Sequence, residues 1–286
     1  SHNRRAPRGK FLSSEIVISD FWKAFLSDAG GHPPYKIASM SCMSAPSGKS
    51  CVCCCPLFSS SIGRKWIVAL TGIVLILFVV GHLLGNLSIY LGPNAINSYA
   101  SFLQSLGEIL WVIRFVLLLC VGLHVFFTIL LWHENMAANP RKYAVIDDLQ
   151  TVIAARWMRL SGLVVLSFVI FHLAEFTWQS LNPQFKTFSD DHGRHDVYRM
   201  VIAGFSNPFV SGFYLIALAL LALHLSHGIA SLFQTLGLTT SKLRPLFERG
   251  GVIISWTLFA GYASIPLSVI FGILRYPHAV ACPFCH

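Results

Sequence analysis

An all-α integral membrane protein with five transmembrane helices is the fold class this sequence predicts. Three observations carry it: the composition, the length of the apolar runs, and the places where Gly and Pro interrupt them. The 286 residues are 55 % hydrophobic and only 12 % charged, about half the charge of an ordinary soluble domain. Five stretches reach the roughly 20 apolar residues that a ~30 Å hydrocarbon core requires. They are Lys65–Tyr90, Ile109–Trp132, Met158–Leu181, Val210–Phe233 and Val252–Leu274. None alternates with a period of two between regularly spaced turns, so helices are expected rather than a barrel. Gly92-Pro93, Asn139-Pro140, Asn182-Pro183, Asn207-Pro208 and Gly250-Gly251 mark the connections. No internal repeat and no further soluble domain is visible. The chain divides into a polar, Cys-containing tail (1–58), a membrane domain (59–276) and a short carboxy-terminal tail (277–286).

Orientation follows from Lys and Arg near the helix ends. Arg64 and Lys65 stand at the start of the first span, Arg141, Lys142 and Arg156 lie between the second and third with Arg159 just inside the third, and Lys242, Arg244 and Arg249 lie between the fourth and fifth. The connection 91–108 has neither Lys nor Arg, and 182–209 mixes Lys186, Arg194 and Arg199 with Asp190, Asp191 and Asp196. The amino terminus is expected inside and the carboxy terminus outside. Much of the +9 net charge is then inner-face and tail charge, which needs no nucleic-acid partner.

Histidines stand where lipid-spanning residues should be apolar: His82 in the first span, His124 in the second, His172 in the third, His224 and His227 in the fourth, none in the fifth. At 1.5 Å per residue, His82 and His172 lie roughly 25 and 21 Å from the inner ends of their helices, and His124 and His224 about 12–14 Å from theirs. Two pairs at levels roughly 10 Å apart suit a four-helix bundle around two stacked haems, each with a His on both faces. One ion held by all four would need them at one depth, which disfavours zinc or copper. Gly81, Gly85, Gly122, Ala174 and Gly228 beside the histidines leave room for a flat macrocycle. A lone His in a membrane helix serves equally well as a helix–helix hydrogen bond, and Gly81-x-x-x-Gly85 also fits a packing motif. One His on each of four helices, at alternating depth, favours ligation. His224 and His227 share a face, so spacing leaves the choice between them open.

The run "SSSIGRKWIVALTGIVLILFVVGHLLGNLSIYLGPNAINSYASFLQSLGEILW", with "LHVFFTILL", "ARWMRLSGLVVLSFVIFHLAEFTW" and "LALHLSHGIASLFQTLGL", resembles the cytochrome b membrane-anchor subunit of bacterial succinate:quinone oxidoreductases and quinol:fumarate reductases. The likeness is to the single-chain, five-helix, two-haem type and covers about residues 59–275. It implies a bacterial inner-membrane protein, surrounded by lipid, that anchors a flavoprotein subunit and an iron–sulfur subunit, with a higher oligomer of the complex left open. It would carry electrons between them and a membrane quinone, menaquinone or ubiquinone, with succinate chemistry confined to the partners.

The resemblance maps the haem b ligands onto His82, His124, His172 and His224, the last by its distance to Leu236-Gly237. By depth, His82 and His172 hold the outer haem and His124 and His224 the inner, with His227 beside the inner one and the fifth helix packed outside. Arg156 and Arg159, near Arg64 and Lys65, suit the inner propionates and equally suit ordinary positive-inside charge. The quinone is expected near the outer haem, where Glu108 and Glu175 are the ionisable candidates for proton transfer. Ser60, Ser61 and Arg64 are similar to a Ser/Arg pair at the quinone site of some relatives.

Two other classes compete: a two-haem cytochrome b serving another quinone-linked dehydrogenase, of hydrogenase or formate dehydrogenase type, and a transporter using its histidines as a proton relay. The ends depart from the family pattern. The tail 1–58 carries Arg4, Arg5 and Arg8 and the cluster "CVCCCP" at Cys51–Pro56. It lacks the apolar run of a secretory signal, and Glu15, Asp20 and Asp28 argue against a transit sequence. Its cysteines suit metal or lipid better than a disulfide on a reducing side. The closing "CPFCH" spells the haem c attachment pattern with Cys282, Cys285 and His286. Nothing after it supplies a second axial ligand, so free thiols or a disulfide are the stronger expectation.

Overall fold

Ser60 starts the membrane domain: its hydroxyl accepts the Gly63 N–H at 3.0 Å and caps the first long helix. The computed structural model describes residues 60–138 and 149–276, without the side chains of 138 and 149–156. The chain separates into Ser1–Val52 and Cys53–His286, and every described residue lies in the second unit. The described elements are helices: α1 (Ser61–Leu87), α2 (Pro93–Ser105), α3 (Glu108–Ala138), α4 (Leu149–His172), α5 (Val197–Phe205), α6 (Pro208–Thr235) and α7 (Arg244–Ile270). Short 3-10 turns cover Ser88–Leu91 and Pro183–Thr187. Five helices are long and apolar enough to cross a membrane, namely α1, α3, α4, α6 and α7.

These are the five spans expected from the sequence, with shifted ends. Asn207-Pro208 marks a boundary as read, since the Asn207 side chain accepts the Phe209 N–H at 2.9 Å and Pro208 fills the first turn of α6, whereas Gly250-Gly251, read as a connection, lies inside α7. The connections 91–108 and 182–209, read as loops, each contain a helix, α2 and α5. Both are too short and too mixed in polarity to stand out beside the spans.

The helices alternate in direction. We call the end where α1 begins the lower end and the opposite one the upper end. α1 packs on α3 and α4 on α6, with α1 also touching α6. The fifth span, α7, bears no histidine and lies along α6 beside α1. Gly251 sets the approach of α6 and α7, since a Cβ there would stand 3.0 Å from the Ser226 carbonyl oxygen. Tyr262 of α7 donates to the Val79 carbonyl of α1 at 2.6 Å.

A polar network ties the upper end together. Asn97 of α2 donates to the buried Asp196 carboxylate at 3.0 Å and accepts the Tyr198 N–H at 3.0 Å. The same carboxylate caps α5 through the Arg199 N–H and accepts the Tyr276 hydroxyl, each at 3.0 Å. Arg194 donates to Ser98 and Asn94 of α2 and pairs with Asp190 at 2.7 Å.

Burial pushes the Asp190 carboxyl up, but hydrogen bonds from the Arg194 side chain and from the Arg194 and His192 N–H groups outweigh it and hold it down to about 2. A carboxylate depressed in the folded state stabilises it above the ordinary Asp range and loses that contribution as pH falls through the folded value. The Asp190 contribution is therefore expected to fade from about pH 4 to about pH 2. Hydrogen exchange of the 187–197 amides checks this, and Asp190→Asn should abolish that acid step.

Candidate functional site: two histidine pairs at two levels

At the upper level His82 of α1 faces His172, the last residue of α4. Their ring centroids are 5.8 Å apart and the planes nearly perpendicular, at 85°. Phe78 stacks on His82 at 5.2 Å, and Phe168 and Phe176 flank His172 at 6.0 and 5.9 Å. The His172 Nδ1 lies 3.1 Å from the Tyr214 hydroxyl of α6.

At the lower level the two helix pairs repeat one arrangement. The His124 Nδ1 on α3 lies 3.2 Å from both the Thr71 hydroxyl and the Val68 carbonyl of α1. The His224 Nδ1 on α6 lies 3.4 Å from the Ser161 hydroxyl of α4, and the Met158 backbone also bonds that ring. A carbonyl only accepts, so these bonds put the ring proton on Nδ1 and leave Nε2 as the nitrogen available to a ligand. A Cβ on Gly72 or on Gly162 would stand 3.5 Å from the Cε1 of His124 or His224, in van der Waals contact, so each ring lies directly over a glycine. His124 and His224 are near enough to interact electrostatically.

These four second-rank residues were missed in the sequence, although a signal exists. "LTG" at 70–72 and "LSG" at 160–162 each precede a histidine by the same interval, Gly72 to His82 and Gly162 to His172. The first and third spans thus share a short repeat. Each offers an upper histidine and, three turns below, a hydroxyl and a glycine for the lower histidine of the next span. Thr71 and Ser161 precede those upper histidines by 11 positions each, which separates the levels by about 16 Å along either helix. The end-based estimate of roughly 10 Å is smaller because it counts from span ends that do not lie at one level: Ser161 is three residues from Met158, whereas His224, which it meets, is nine from Phe233.

The glycines chosen from the sequence behave differently. A Cβ on Gly81, Gly122 or Gly228 would meet nothing within 4 Å, and Gly85 accommodates the Tyr99 ring of α2, 2.5 Å from where a Cβ would be. His227 is exposed, whereas the other four histidines are partly buried. Glu108 opens α3 and is exposed. Glu175 is 1 % exposed, accepts from the Asn182 amide at 2.8 Å, and sits in a π turn, Leu173–Thr177, closed by the Trp178 N–H on the Leu173 carbonyl.

At the lower end Arg64 pairs with Glu134, Ser61 is exposed in the first turn of α1, and Arg159 lies over the Trp132 ring at 5.3 Å, linking α4 to α3. The Arg156 side chain, the Cys51–Cys55 cluster and the CPFCH terminus lie outside the described residues. Among the described residues no three His, Cys, Asp or Glu side chains converge on one point.

A five-span helical membrane protein with paired histidines between its helices is the class that fold and site define. The chain is similar to the succinate dehydrogenase cytochrome b558 subunit of Bacillus subtilis (strain 168), 23 % identical over 196 residues, which is 68 % of this chain and 88 % of that protein. The likeness supports the cytochrome b family of succinate:quinone oxidoreductases. No protein-family model and no solved structure matches the chain.

Proposed function

We propose that this chain is the two-haem cytochrome b anchor of a succinate dehydrogenase or fumarate reductase, passing electrons between an iron–sulfur subunit and a membrane quinone. The histidine pairing is the observation that carries the reading. The 5.8 Å between the His82 and His172 rings is close to the separation of about 6 Å for two imidazoles on opposite faces of one metal, with bonds of about 2 Å each. His124 and His224, held through Nδ1 with Nε2 free, offer the same donor set one level below. Haem b with imidazole on both faces carries one electron at a time and has no open position for oxygen.

The chain's own residues then have separable tasks. Thr71, Ser161 and the carbonyls beside them orient the lower imidazoles, while Gly72 and Gly162 give those rings room. Arg156 and Arg159 balance carboxylates at the lower end, which faces the inner compartment and the flavoprotein and iron–sulfur partners. Quinone binds toward the upper, outer end, where Glu108 is the solvent-facing acid and Glu175 the enclosed one. In an inner bacterial membrane this puts the amino terminus inside and the carboxy terminus outside.

A reduced-minus-oxidised spectrum of the purified complex tests the proposal. Two haem b per chain are expected, together with copurifying succinate-oxidising subunits. A chain without haem b overturns it, and two haems with a partner of another dehydrogenase class overturn the succinate assignment.

A further inference from the structure

The upper pair differs from the lower in what stands behind its imidazoles. His124 and His224 rest on backbone carbonyls and aliphatic hydroxyls. His172 rests on a phenol: Tyr214 is 4 % exposed and its hydroxyl lies 3.1 Å from Nδ1. A carboxylate lies near that phenol without a direct hydrogen bond to it. Glu175 follows His172 by three positions, on the π turn, and lies within electrostatic reach of Tyr214. One residue beyond the regular helical repeat is what a π turn adds, and such turns occur often at functional sites. Gly204 leaves the space, since a Cβ there would stand 2.8 Å from the Phe176 ring and 3.8 Å from the Glu175 carboxylate. Asn182 donates to Glu175 at 2.8 Å, and among the described residues no cation pairs with that carboxylate.

We propose that Tyr214, backed by Glu175, is a positioning residue for the upper iron, acting through the His172 ring. The inference rests on the two-haem reading above. With Nε2 on the iron, Nδ1–H donates to the Tyr214 oxygen, and the phenol hydrogen is then free to point toward the Glu175 carboxylate. This relay fixes the ring's tautomer and rotation and makes the imidazole a stronger donor, because a hydrogen bond from Nδ1–H toward an anion draws the ring toward imidazolate. A stronger donor favours ferric over ferrous iron and lowers the upper potential. The lower pair lacks such an anion and is untouched.

Potentiometric titration of the haem b absorbance in the intact purified complex tests this, with the upper signal identified as the one that His82→Ala removes. Tyr214→Phe is expected to shift the upper midpoint upward, to leave the lower midpoint in place, and to keep both haems bound. Glu175→Gln is expected to shift the same midpoint in the same direction by less, and to add nothing in the double variant, because it acts through the phenol. An upper midpoint unmoved in Tyr214→Phe, both midpoints moved equally, or additive shifts in the double variant overturns the inference. If Tyr214→Phe fails to assemble or loses the upper haem, Glu175→Gln decides alone: an upward shift of the upper midpoint supports the relay, and a wild-type midpoint overturns it. A wild-type complex without two haems defeats the underlying two-haem reading instead, so the two failures are distinguishable.

Discussion

His82→Ala is expected to remove one of two haem b signals and to lower succinate–quinone activity by about a hundredfold or more, while succinate oxidation with an artificial acceptor keeps its wild-type rate. The reasoning is geometric. His82 contributes one imidazole of the upper pair, its ring 5.8 Å from that of His172, and under the proposed function a haem left with one of the two imidazoles would lose affinity and its six-coordinate spectrum. His172→Ala should give the same phenotype, and the double variant should add nothing, as expected for residues that act as a unit. His124→Ala and His224→Ala should remove the other signal. A His82→Ala complex that loses the same signal as His124→Ala would show the pairing to be wrong. Optical spectra of the four single variants are sufficient to decide.

The reach of sequence reasoning divides along physical lines. Hydrophobicity over 20 residues is a strong, additive signal, so all five spans were legible, and so were the four histidines that interrupt them. What sits beside each histidine was harder to see. Thr71 and Ser161 are ordinary residues in an apolar helix, unremarkable until α3 and α6 bring His124 and His224 against them. The glycines were legible only in part: Gly81, Gly122 and Gly228 face open space, as room for a macrocycle requires, but Gly85 takes the Tyr99 ring, and the glycines under the lower imidazoles went unread. Proximity in sequence selected Gly81 and Gly85, which lie next to His82 in the chain, yet the rings rest on glycines from a different helix, Gly72 and Gly162. Helix ends were misjudged where local chemistry overrode hydropathy: the apolar run through Leu181 suggested a continuing helix, but the π turn at Leu173–Thr177 ends it and buries Glu175. The helices α2 and α5 were hidden because their stability comes from the network they share. Neither is long enough to announce itself, and Asn97, Asp196 and Arg194 meet only in the fold.

That network carries the second large expected effect, on stability. Asp196→Ala should cost about 2–4 kcal/mol, because three donors converge on one carboxylate at a site 2 % exposed and at least one of them is left buried without a partner. Asn97 suffers most: it is 1 % exposed, the other acceptor of its amide, Asp190, lies at the long distance of 3.4 Å, and its carbonyl holds the α5 amino terminus through Tyr198. Asp196→Asn should cost less than half as much, since its carbonyl keeps the Asn97 and Arg199 bonds and its amide donates to the Tyr276 oxygen. Thermal unfolding of the detergent-solubilised complex, monitored by helical circular dichroism, measures both. Equal stability of Asp196→Ala and wild type would mean that water satisfies these donors and that the upper end is held by its apolar cluster of Ile89, Ile96, Tyr198 and Phe205 instead. Separation of the two variants in the expected order would show that one buried carboxylate joins α2, α5 and the end of α7 over the upper histidine pair.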